Sequence, residues 1–120
     1  MATFTKQILS ASTDGKAIKV AATATAGTTI HTGSATATTL DEVWLYAMNT
    51  SASNVKLTIE WGEATSPDGH IEVTVQAEAG LVNITPGLLI KGNATPLTVK
   101  AFAATANVIT IHGFVNRITV

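Results

Sequence analysis

Val55-Lys56-Leu57-Thr58-Ile59-Glu60-Trp61 sets apolar Val55, Leu57, Ile59 and Trp61 against polar Lys56, Thr58 and Glu60 in strict alternation. Successive side chains of a β-strand point to opposite faces, so this stretch reads as a strand with one buried side. Upstream stands Val43-Trp44-Leu45-Tyr46-Ala47-Met48, and the small polar run Asn49-Thr50-Ser51-Ala52-Ser53-Asn54 between them predicts a hairpin loop. Downstream, Ser66-Pro67-Asp68-Gly69 has Pro and Gly where a turn favours them, and Ile71, Val73 and Val75 then alternate with Glu72, Thr74 and Gln76. Pro86-Gly87 reads as a break before the short apolar piece Leu88-Leu89-Ile90. Two further strands, over 97–103 and 108–115, are expected to pair antiparallel with each other.

The first forty residues are poorer in signal. From Ala21 to Thr39 the chain is nearly all Ala, Thr, Gly and Ser, with one larger pair at Ile30-His31. Such a segment builds no core alone, but its small side chains permit close approach of neighbouring strands or subunits. Thin strands are expected over 16–25 and 28–32, with Asp14-Gly15 turning the chain before the first of them. The stretch from Thr3 to Leu9 has Phe4 and Ile8 on one side, which suits either a strand or an arm reaching onto a neighbour. No segment has the helical period with caps. Strands at roughly ten-residue spacing with turn signals between them predict an all-β fold, an antiparallel β-sandwich of jelly-roll type. The expected organisation is one domain over 1–120, with residues 1–10 as an attachment arm.

Composition narrows the functional classes. The chain has no cysteine, only 12% charged residues and a formal net charge of −1, while Ala and Thr fill about a third of its positions. Absent thiols exclude disulfides and thiolate metal sites. Seven scattered basic residues are too few and too dispersed for a phosphate-binding surface, so no nucleic-acid partner is expected. No apolar run approaches the length of a membrane helix, and Met1-Ala2-Thr3-Phe4-Thr5-Lys6 lacks the basic start of a secretory signal, so neither membrane insertion nor a cleaved signal is expected. The sequons at Asn49, Asn83 and Asn93 then read as accidents of a chain rich in Thr and Ser.

Catalytic constellations are missing. His31, His70 and His112 are widely separated, and none has a second histidine at i+2 or i+4. Asp41-Glu42, Glu60 and Glu63 read as solvated strand-end carboxylates, since a glycosidase pair needs a cleft that a small flat sandwich lacks. No Gly-x-Ser-x-Gly elbow occurs, and Gly27, Gly33, Gly87 and Gly92 are isolated turn residues that form no phosphate cradle. The reading is therefore no enzyme, no cofactor and no metal. Trp44, Tyr46 and Trp61 suit a core or interface better than a sugar platform.

One pattern goes beyond the fold. In Val43–Met48 both faces are apolar, Val43, Leu45 and Ala47 opposing Trp44, Tyr46 and Met48. Near the C-terminus Ile109, Ile111 and Val115 oppose Val108 and Phe114, and Phe102 sits on the polar side of its strand. A two-layer sandwich leaves one face of most strands in water, so these faces call for cover by another subunit, or by loops and the N-terminal segment of the same chain. Expected protein-interface positions are Phe4 and Ile8 on the arm, and Trp44, Tyr46 and Phe102 on the doubly apolar surfaces.

The runs Ile30-His31-Thr32, Leu40 through Thr50, and Leu57-Thr58-Ile59-Glu60-Trp61-Gly62 resemble small structural proteins encoded by tailed bacteriophages. Pro86 through Asn93, Leu97 through Ala101 and Asn107 through Gly113 are similar to the closing strands of that family. The resemblance spans the chain from about residue 28, in alternations and turns without a catalytic signature. It implies a β-sandwich virion component made in the host cytoplasm. The nearest role is capsid decoration, or cement, with the major capsid protein and copies of itself, as a homotrimer, for partners. A low-copy tail, neck or fibre-base protein and a carbohydrate-binding module are the alternative roles.

Overall fold

The computed structural model describes residues 2–120. Nine strands follow in chain order: β1 (Thr3–Ile8), β2 (Ile18–Lys19), β3 (Thr28–Thr32), β4 (Thr39–Asn49), β5 (Val55–Trp61), β6 (His70–Val75), β7 (Val82–Lys91), β8 (Thr98–Ala103) and β9 (Ile109–Thr119). All pairings are antiparallel, in two sheets that pack as a β-sandwich. Sheet A has the order β1-β9-β4-β7, with β2 also on β9, and sheet B the order β3-β8-β5-β6. No helix occurs among the described residues, and so none crosses a membrane.

Period two places the core. Val43, Leu45, Ala47, Ile109, Ile111 and Val115 of sheet A meet Ile30, Val55, Leu57, Ile59, Val75, Val99, Ala101 and Ala103 of sheet B, all buried. Each larger aliphatic side chain taken out of water contributes about 1.5–3 kcal/mol, offset by the entropy of ordering it.

Two expected pairings are overturned. β4 and β5 form no hairpin, because β4 belongs to sheet A and β5 to sheet B. Asn49 explains the crossing. It is 1% exposed, donates through Nδ2 to the Ser53 and Val75 carbonyls, and accepts at Oδ1 from the Ser51 N–H and hydroxyl. The loop thus arches over a buried amide and delivers β5 to the opposite sheet. Likewise β8 and β9 lie in different sheets, and their connection is held by Ala104 N–H donating to the Lys56 carbonyl and Asn107 N–H to that of Val20. A hairpin would point the apolar faces of such consecutive strands the same way, whereas an arch lets them face each other across the core. The hairpin that does form is β5–β6, with Val55 opposite Val75 and Glu60 opposite His70.

Pro86-Gly87 is a bulge inside β7 and not a break. The β4–β7 register shifts between Val43 and Trp44 and again between Leu45 and Tyr46. Proline supplies no N–H to the ladder, and the buried Thr85 hydroxyl fills the gap, accepting from Leu45 N–H and donating to the Val43 carbonyl, each at 3.1 Å. Gly87 takes φ 80°, where a Cβ would stand 3.0 Å from the Trp44 indole. Upstream, Asp14 and Gly15 turn the chain with φ of 56° and 85°, as expected for this pair.

Candidate functional site

Four of the five expected interface residues share one surface. On sheet A the register aligns Phe4 with Ile118 and Leu40, and Ile8 with Phe114 and Trp44, while Tyr46 lies one pair further along β4 beside His112. These side chains alternate with the buried Val43, Leu45 and Ala47 and so point away from the core. Phe4 is 71% exposed, Ile8 49% and Leu89, opposite Glu42 on β7, 52%. None of the outward residues of β1, β4 and β9 is fully buried.

Across this surface the rings form a row. Phe114 stacks on Trp44 with centroids 5.9 Å apart and planes within 8°, and Lys6 Nζ sits 5.0 Å from the Phe114 centroid. Gly87 flanks the indole from the β7 side. Trp44 Nε1–H donates to Glu42 Oε1 at 2.7 Å and Asn116 Nδ2 to the same oxygen at 2.9 Å. The Trp44 bond first, then that of Asn116, hold the Glu42 carboxyl below its ordinary range. The row is thus an ordered apolar surface with the indole N–H already paired. Phe114 and Gly87 both flank Trp44, and Trp61 packs against the core.

Phe102, the fifth residue, lies on the opposite sheet, where the chain provides its own cover. Residues 21–27 cross the outside of sheet B as a strap: Ala103 N–H donates to the Ala22 carbonyl, and Gly27 lies against the Ala101 main chain. Glu60 pins the strap, accepting from Thr25 Oγ1 at 2.9 Å and Gly27 N–H at 2.7 Å. Glu60 is therefore no solvated strand-end carboxylate, being 2% exposed. Phe102 is half-buried, with its ring edge to face against His70 at 5.8 Å.

Asp41 also departs from expectation, being 1% exposed and within β4. Its carboxylate takes a two-pronged contact from Arg117, Nε to Oδ1 at 2.7 Å and the guanidinium NH2 to Oδ2 at 2.8 Å. Buried His31 of β3 reaches Oδ2 through Nε2 at 2.8 Å, while Ser10 N–H donates to His31 Nδ1 at 3.1 Å. These partners place the imidazole proton on Nε2. Burial pushes the Asp41 carboxyl up, but the Arg117 and His31 hydrogen bonds outweigh it and hold the group below its ordinary value.

Ser10, His31 and Asp41 share the composition of a hydrolytic triad without its geometry. The nitrogen that would activate the serine accepts a main-chain N–H, and Ser10 Oγ accepts from Thr32 N–H at 2.7 Å. What the cluster does is join β3 of sheet B to β4 and β9 of sheet A. Sequence spacing hid it, because the His31–Asp41 and Asp41–Arg117 partners stand 10 and 76 positions apart. Among the described residues no group of three or more His, Asp or Glu gathers as a metal-ligand set.

The architecture defines an antiparallel β-sandwich with one strapped and one bare outer face. No family model, curated protein or solved structure matches the chain.

Proposed function

We propose that this protein is a capsid decoration protein of tailed-bacteriophage type, which packs on the coat lattice and on copies of itself through the outer face of sheet A and stabilises the virion. The observation that carries the reading is the convergence of Phe4, Ile8, Trp44 and Tyr46 with Leu40, Phe114 and Ile118 on one bare face, beside the free edge strand β1. Contiguous apolar surface of this kind marks a site of protein packing. A free strand edge adds main-chain groups that an extended segment of a coat subunit can pair with. Many modest contacts, repeated over a closed lattice, sum to firm attachment without an active site. The resemblance of Leu40–Thr50 and Leu57–Gly62 to phage structural proteins supports the virion as the setting.

The attachment segment is shorter than ten residues. Leu9 is 1% exposed in the core and Ser10 bonds to His31 and Thr32, so removal of 1–10 would damage the sandwich, whereas the part up to Ile8 is an edge strand. The test is quantitative mass spectrometry of virus particles purified from the source of this chain. Copies approaching those of the coat protein are expected. A far smaller number assigns the same face to a tail or neck adaptor, and absence from particles overturns the virion reading. Phe4→Asp with Ile8→Asp should abolish binding to coat shells while leaving the fold intact.

A further inference from the structure

The outside of sheet B carries a second candidate site, unrelated to the apolar face. A hollow of about 290 Å³ opens there between the strap and the loop after β5, lined by Thr23, Lys56, Thr58, Ser66, His70, Glu72, Phe102 and Ala104. Its wall has an uncommon mixture for a chain so poor in charge. Lys56 Nζ pairs with Glu72 Oε2 at 3.1 Å on the rim, so the two charges nearly cancel. His70 Nε2–H donates to the Ala64 carbonyl at 3.1 Å and lies 4.0 Å from Glu60 Oε2, which leaves Nδ1 for a ligand. Three hydroxyl-bearing side chains, Thr23, Thr58 and Ser66, add donors and acceptors, and Phe102 supplies an apolar wall.

Each of these features narrows the occupant. Cancelled charge disfavours a phosphate or another multiply charged anion, which needs uncompensated Lys or Arg. Several donors and acceptors around one hollow suit a ligand that carries hydroxyls on most of its carbons, and a phenyl wall suits the C–H face of a saturated ring. The volume lies just below the usual range for small-molecule sites, about 300–1,000 Å³, and so suits a single such ring. The geometry points to a saccharide site: we propose that this hollow binds a neutral pyranose, with Phe102 packing on the ring and the Lys56–Glu72 pair, His70 and the hydroxyls bonding to its OH groups. The site is held by the strap, because Thr23 stands two residues from Thr25, which binds Glu60.

Saturation-transfer NMR on the full chain, with D-glucose, D-galactose, D-mannose and N-acetyl-D-glucosamine at millimolar concentration, together with a glycan array, tests this. At least one sugar should receive saturation. Phe102→Ala should weaken its binding at least fivefold. Because Phe102 is half-buried, Glu72→Ala on the exposed rim provides a second variant that keeps the fold, and it should also weaken binding severalfold. No transfer to any of these sugars and no array signal would overturn the proposal. So would binding unchanged in a folded Glu72→Ala protein, or binding lost on Trp44→Ala, which would place the sugar on sheet A.

Discussion

The two outer faces of the sandwich solve opposite problems. Sheet B lays its own chain across its outside, and the carboxylate beneath that cover, Glu60, is almost as buried as a core residue. Sheet A leaves its outside bare, and there the apolar side chains are organised by one another, Phe114 against Trp44 and Lys6 over Phe114. Each sheet also contributes one buried carboxylate. That of sheet B points outward to hold the strap, and that of sheet A, Asp41, points inward to join the layers. A buried carboxylate thus fastens each of two poorly apolar segments, the strap and the short β3. The bare face has no such fastening from its own chain.

Substitutions can break that contrast, beginning with the joint beneath both faces. Asp41→Ala strands the Arg117 guanidinium and the buried His31, and should cost about 3–5 kcal/mol in denaturant unfolding. The same joint has an acid limit. The Asp41 carboxyl lies below its ordinary value of 3.8 in the fold, so its stabilisation is complete above that pH. Stability should fall as the pH drops through the lower folded value, and an Asp41→Asn protein should lose this part of the pH dependence.

Glu60→Ala should loosen only the strap. Loss of hydrogen bonds to a charged acceptor is worth about 1.5–3 kcal/mol, and hydrogen exchange should quicken at Gly27 far more than in β4. An exchange pattern unchanged over 21–27 would show that the strap is held by other contacts. Gly87→Ala tests how the bare face is organised. A Cβ at φ 80° beside the Trp44 indole should cost about 1–2 kcal/mol and disturb the Trp44 fluorescence. Phe4→Asp with Ile8→Asp should have the smallest effect on the isolated protein, within about 0.5 kcal/mol, because both side chains already face water. A large loss of stability there would mean that β1 is integral to the fold and is not an attachment strand.

Much of this molecule is legible in its sequence because period two is a local property. The alternation at Val55–Trp61 and Ile71–Val75 identifies strands whatever they pair with, and Ser66-Pro67-Asp68-Gly69 lies in the loop that joins them as a hairpin. The doubly apolar Val43–Met48 marks a strand with apolar side chains on both faces, and Trp44 and Tyr46 lie on the outer one. Phe102 carries the same local signal, yet its face has cover from the same chain, since an apolar residue on a polar strand does not say what lies above it. Residue order also does not say which sheet a strand joins. Hence β4–β5 and β8–β9, each with a hairpin-like loop, are arches between layers.

By itself the sequence determined the all-β class, most strand positions, the absence of thiol chemistry and the apolar excess on β4 and β9, all consequences of side-chain chemistry at fixed short spacing. Only the tertiary structure decided that His31, Asp41 and Arg117 meet, that Glu60 is buried, that Pro86-Gly87 bulges instead of breaking β7, and that Phe4 and Ile8 lie beside Ile118 and Phe114. Each of these depends on which distant segments pack together, and packing is settled by the summed burial of whole faces, a quantity no single stretch of residues contains.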